Sequence, residues 1–247
     1  EMTDAGRAFV ESVEAAGSHC YTGGVDGHRA RDWVVRDSRI EGYWCNGDIS
    51  EHGVHFWTGS RDTVVERNVF VDNARAIGFG MTSGGRTYDD EPCPGVGDAG
   101  HYGGMIRNNL IAGTRDALFD SGSGMDGGIQ LWYACEATVL HNTIAATRAP
   151  YHAIEWRFSS TSGAVVNNLT THDLASRDGA VMTTGGNVED ASAALFVDIP
   201  SGDLHLTSAA TGVVDWGSTG WAADCPTDVD GETRDAQPDV GADEWVD

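Results

Sequence analysis

The chain has 247 residues, of which 40% are hydrophobic, with 33 glycines and 6 prolines. That length suits one elongated domain, and the apolar share excludes wholesale disorder. The formal net charge is −23 and all 15 cationic residues are arginine, a surface that repels phosphate backbones and argues against a nucleic-acid partner.

The acidity keeps the chain soluble and also suits contact with salt or divalent cations. No apolar run approaches the roughly 20 residues of a membrane-crossing helix, so no membrane span is expected. The chain opens at Glu1 rather than Met, and a removed leader or upstream segment is the expectation. Five cysteines (Cys20, Cys45, Cys93, Cys135 and Cys225) match no zinc spacing. An odd number leaves at least one thiol free. At most two disulfides are expected, with Cys45–Cys93 the leading pair and buried free thiols the alternative.

In chain order, residues 1–32 read as an N-terminal segment, a first coil or a cap. FVESVEAAG at 9–17 suits a short helix or an irregular cap. From 33 to 193 a repeat runs through the chain. Its first motif is an apolar pair, two variable residues and then Asn or Ser: VVRDSRI (34–40), VVERNVF (64–70), MIRNNLI (105–111), TVLHNTI (138–144) and AVVNNLT (164–170). This alignment puts Ser38, Asn68, Asn109, Asn142 and Asn168 in one column. A second motif follows each first one: GVHFW (53–57), AIGFG (76–80), GIQLW (128–132), AIEWR (153–157) and AVMTT (180–184). Its apolar residues alternate with period two, the signature of a strand with one buried face.

Five linked pairs of short strands predict an all-β parallel solenoid. Each coil buries its apolar face only by stacking on the next. At a sharp corner an Asn amide can bond neighbouring backbone and its counterpart one coil away. Residues 194–247 lose the repeat, turn acidic, and read as C-terminal strands and a cap, the whole being one continuous domain.

These repeats resemble the pectate-lyase-like superfamily of secreted bacterial proteins. The terminal ALFVDIPSGDLHLTSAATGVVDWG (194–217) and DVDGETRDAQPDVGADEW (228–245) look like the ending of β-helix repeat proteins of that kind. HCYTGGVDGH (19–28), EGYWC (41–45), SEHGVHFW (50–57) and RAIGFG (75–80) look like one subgroup, whose activity the resemblance does not supply. It covers nearly the whole chain and implies a right-handed, single-stranded parallel β-helix, secreted or at the cell surface. The superfold hosts lyases, hydrolases, epimerases and adhesins. The Asn-Thr-Asp and Gly-His-Gly elements of its galacturonan hydrolases are absent, and the one Asp-Asp, Asp89-Asp90, lies in a loop.

With Val54, Ile77, Ile129, Ile154 and Val181 pointing inward, one outward column reads His55, Gly78, Gln130, Glu155 and Met182. A second reads Trp57, Gly80, Trp132, Arg157 and Thr184. Trp rings make platforms for sugar rings. Gly78 and Gly80 are expected to leave a notch between coils, walled by the loops at 81–103, with Tyr88 and Tyr102, and at 116–127. The expected catalytic set is Glu155, Arg157, His55 and Arg75; the expected substrate contacts are Trp57, Trp132, Gln130, Tyr88 and Tyr102. Glu155 would serve as base, Arg157 or Arg75 would neutralise a uronate, and His55 or a Tyr would supply a proton. Hydrolysis would instead pair Glu155 with Asp126 or Glu51.

The plainer reading makes the Trp pair a satellite core beneath the loops and Glu155–Arg157 a structural ion pair. His52 and His55 lie three apart, which on a strand puts them on opposite sides, so no metal is expected between them. Calcium is the one cofactor left open, at DVDGETR, against the alternative of a cap-forming turn. The expected function is an extracellular monomer acting on polysaccharide or oligosaccharide, as a lyase or a glycoside hydrolase. The alternative is a non-catalytic glycan-binding or cell-surface structural β-helix.

Overall fold

The computed structural model describes residues 1–14 and 20–246. The chain passes repeatedly through the same three parallel sheets, the arrangement of a parallel β-solenoid. One sheet has six strands: β1 (Val25–His28), β2 (Val54–Trp57), β3 (Arg75–Gly80), β4 (Gly127–Trp132), β5 (His152–Arg157) and β6 (Leu174–Arg177). The second begins at Val34–Arg36 and ends at Thr183–Gly185. The third begins at Arg39–Glu41 and ends at Leu169–Thr170.

Register follows the apolar pattern. Val25, Val54, Ile77, Ile129, Ile154 and Leu174 are paired in sequence across β1 to β6. The Val54, Ile77, Ile129 and Ile154 side chains are completely buried in the central cluster, with Phe56, Phe79 and Ile106. Burying each such side chain contributes roughly 1.5–3 kcal/mol.

The corner between the second and third sheets carries the asparagine column. Each Nδ2 donates to the next Oδ1: Asn68 to Asn109 at 3.0 Å, Asn109 to Asn142 at 2.9 Å, Asn142 to Asn168 at 3.0 Å. The ladder continues to Asn187 at 3.0 Å, and Ser38 joins its other end through its backbone N–H. The residue before each member turns left-handed, with φ between 50° and 58° at Asp37, Arg67, Asn108, His141 and Asn167. Such turns leave backbone groups unpaired at a buried corner, and the amides supply the missing partners.

Two expectations are corrected, and within the 1–32 segment a strand of the first sheet precedes the five repeats, because Val25–His28 already pairs with β2. AVMTT at 180–184 is not the last strand of the first sheet. Thr183–Gly185 pairs with Gly163–Val166 in the second sheet, just ahead of Asn187, and Val181 is 76% exposed. Leu174–Arg177 takes the place on the first sheet, so Ala175, not Met182, follows Glu155. The disulfides are Cys20–Cys45 and Cys93–Cys135, with Cys225 free and buried. Cys93 lies in the 81–103 loop that folds beside Cys135, so it is not available to Cys45.

A helix at Asp4–Glu14 packs at one end, where the Arg7 guanidinium lies 3.6 Å from the Trp44 ring centroid and donates to the Trp44 and Gly42 carbonyls. The part of the expected 9–17 element beyond Glu14 lies outside the described residues. Phe196, Leu204, Leu206 and Val240 pack on Val71, Leu110, Ala145 and Leu169 of the third sheet. The C-terminal segment thus covers the side of the solenoid across several coils. Within it the Asp228 carboxylate accepts the Asp230, Glu232 and Glu244 amides, the bonding of a closed turn.

Asn142→Ala should destabilise the fold by about 3 kcal/mol, because it leaves buried partners above and below unpaired. The exposed Thr211→Ala should change stability by less than about 0.5 kcal/mol. Denaturant titration of both checks this, and equal small losses would remove the ladder from the account.

Candidate functional site

The outward side of the first sheet gathers most of the ionisable and aromatic residues singled out above. The column after the core valine and isoleucine reads Asp26, His55, Gly78, Gln130, Glu155 and Ala175 across the six strands. Two residues on, His28 pairs with Trp57, Gly80 with Trp132, Trp132 with Arg157 and Arg157 with Arg177. The two columns differ in accessibility. His55, Gly78, Gln130 and Glu155 are buried, while Trp57, Trp132, Arg157 and Arg177 are half-buried and His28 is exposed.

The closed column is a bonded polar layer. Glu155, 1% exposed, accepts from Trp132 Nε1 at 2.6 Å, from Gln130 Nε2 at 3.4 Å and from Arg177 at 2.9 Å. Its ion-pair partner is therefore Arg177, from the coil that the sequence alignment misplaced. Arg157 instead donates to Asp178 at 2.6 Å, and Arg75 to Asp126 at 2.8 Å. Both guanidiniums flank the Trp132 ring, at 5.6 Å for Arg75 and 4.8 Å for Arg157. A carboxylate held by three donors and sealed from solvent is poorly placed to take a proton from a substrate. Buried charge of this kind persists because each group is paired.

The expected notch is filled. A Cβ on Gly78 would stand 2.5 Å from His52 Nε2, so the glycine seats the His52 ring. Gly80, at φ +84°, lies against the Trp132 carbonyl.

His52 and His55 face the same side, against expectation. The strand begins only at Val54 and Gly53 is a bend, so period two does not reach back to His52, and the two rings come within 4.4 Å, centroid to centroid. His55 Nδ1 lies 3.0 Å and His52 Nδ1 3.6 Å from Glu51 Oε2. His55 also stacks on Trp57 at 4.9 Å and 12°. Trp57 donates to Asp26 at 2.7 Å and has His28 against it at 4.5 Å. Burial pushes His52 down to about 3, and the two imidazoles hold Glu51 well below the usual carboxylate range despite its partial burial.

Tyr88 and Tyr102 are placed elsewhere. Tyr102 is buried with Cys93, Ala99 and Cys135, and Tyr88 packs beside it with its hydroxyl on the Gly59 carbonyl. They line a pocket of about 420 Å³ within the 81–103 loop. The structure thus brings His55, Arg75, Gln130, Trp57, Trp132, Glu155 and Arg157 onto one face, and it separates the two tyrosines from them. Asp26, His28 and Arg177 were missed. VDGH at 25–28 carries the signal, since it aligns with VHFW at 54–57 once an extra coil is allowed.

Comparisons with known protein families, with curated proteins and with solved structures find no match for this chain.

His52 shares its neutral burial with His101 and His141, each also lowered to about 3 by burial. Unfolding restores ordinary imidazoles that bind protons near pH 6.5. The stability from these three groups is therefore complete above pH 6.5 and falls as pH drops toward 3. Thermal melts should lose Tm already between pH 6.5 and 5, above the range of ordinary carboxylates. A Tm flat down to pH 5 would contradict neutral burial of the three rings.

Proposed function

We propose that the chain is an extracellular, right-handed β-helix of the pectate-lyase-like type that binds a neutral polysaccharide across the first sheet. The observation that carries this reading is the ridge His28, Trp57, Trp132, Arg157 and Arg177, left half-open above a sealed polar layer. Two indole rings separated by two coil spacings, about 10 Å, offer apolar platforms with polar edges suited to sugar faces. The extracellular placement draws support from the two disulfides, which persist in oxidising surroundings.

A neutral glycan is favoured over a uronate. Arg75, Arg157 and Arg177 are each already paired with a carboxylate, and the net charge is −23. Elimination needs a cation free to neutralise the uronate, and these arginines would have to give up their carboxylate partners, the buried Glu155 among them, to provide it. For the same reason binding is favoured over chemistry at Glu155 and Arg157. A second reading, glycoside hydrolysis, has one observation in its favour: Glu51, 16% exposed, contacts His55, whose ring stacks on Trp57. Its acid–base chemistry would then run through Glu51.

Trp57→Ala should weaken binding of a neutral glycan identified on an array about tenfold, equivalent to about 1.4 kcal/mol. Isothermal titration of the folded variant measures this, and unchanged affinity would remove the ridge as the binding surface. New reducing ends released by the wild type and lost in Glu51→Gln would favour the second reading.

A further inference from the structure

We infer that Glu51, His52 and His55 form a binding site for one divalent transition-metal cation of the zinc class, held by Glu51 Oε2 and the two Nδ1 atoms. The inference stands independently of the glycan reading.

The protonation pattern of the two rings leads there. The Gly80 carbonyl lies 2.8 Å from His55 Nε2 and can only accept, so that nitrogen carries a proton. Gln130 fixes His52 in the same way. Its amide nitrogen donates to Asp126 at 2.8 Å and to Glu155 at 3.4 Å, which turns its carbonyl oxygen toward His52 Nε2 at 2.9 Å. His52 Nε2 must then donate. Both rings therefore aim Nδ1 lone pairs at the same carboxylate oxygen, at 3.0 and 3.6 Å. Three acceptors converge in a buried place, and they need a cation among them.

A proton does not suffice. Placed on His55 Nδ1 it joins His55 to Glu51, but His52 Nδ1, on a ring only 2% exposed, still has no hydrogen-bond partner. A metal ion serves all three. One ligand atom from each of the three residues lies within 4.8 Å of the others. A tetrahedral ion with bonds of about 2.0–2.1 Å needs ligand edges of about 3.3 Å, close to the two observed separations. Two imidazoles with one carboxylate suit zinc, cobalt, copper or nickel, whereas calcium and magnesium prefer oxygen. The outer nitrogens bonded to carbonyl oxygens are the orienting contacts that metal-bound histidines use. Gly78 is part of the site, because any side chain there would displace the His52 ring.

The test uses the full chain, stripped with chelator and titrated with Co²⁺, then Zn²⁺. One equivalent of Co²⁺ should give visible ligand-field absorption, which Zn²⁺ abolishes. Glu51→Gln and His52→Gln should each weaken binding at least a hundredfold. Glu51 is partly exposed, so Glu51→Gln keeps the test valid if His52→Gln does not fold. Asp230→Asn controls for a second cluster, His205, Asp230 and Asp243, and should leave the absorption unchanged. The inference is overturned by absent absorption in folded wild type, by its survival in Glu51→Gln, or by its loss in Asp230→Asn.

Discussion

The hydrogen bond from the Asn109 amide to the Asn142 oxygen, repeated from Asn68 to Asn187, ties each coil to the next at a fixed residue offset. A slip by one residue would turn every buried valine and isoleucine to solvent. It would also unpair an amide in each coil it touched. The ladder and the apolar stripe therefore enforce the same register. That register stacks Gln130 on Glu155 and Trp132 on Arg157. The outward face is thus a consequence of a corner on the opposite side of the coil.

The polar layer of that face has its own logic. Charges are tolerated under the tryptophans because each arginine there meets a carboxylate: Arg75 with Asp126, Arg157 with Asp178, Arg177 with Glu155. At the buried Glu155, removing Arg177 would strand the carboxylate, which is more damaging than never having had either. The pairing also orders Gln130, and through it the His52 ring. A chain of fixed donors and acceptors runs from Asp126 to Glu51 and leaves one place where acceptors meet acceptors.

Much of this was legible in the sequence. The Asn column and the alternation in GVHFW, AIGFG, GIQLW and AIEWR led directly to parallel coils, and four of five inward residues are in the core. AVMTT misled because its alternation fits a strand of either sheet; only the position of Asn187 decides between them, and the GGNVED context hides that asparagine. That seven of the nine expected site residues share one face was legible from the strand register, but their hydrogen-bond partners were not. Period-two reasoning put His52 and His55 on opposite sides, but the bend at Gly53 leaves His52 outside the strand, where that period does not apply. Glu155 looked like a base because nothing in the sequence announces Arg177 one coil later. The pairing of Cys93 with Cys135 depends on how a long loop folds back, which spacing does not encode.

The central claim is that the face's hydrogen bonds hold His52 as a neutral ring with its proton on Nε2 and its Nδ1 lone pair toward Glu51. Long-range ¹H–¹⁵N correlation spectra of the metal-free protein at pH 7 report this directly. The account predicts a protonated Nε2 and an unprotonated Nδ1 for His52. A proton on His52 Nδ1 would contradict it.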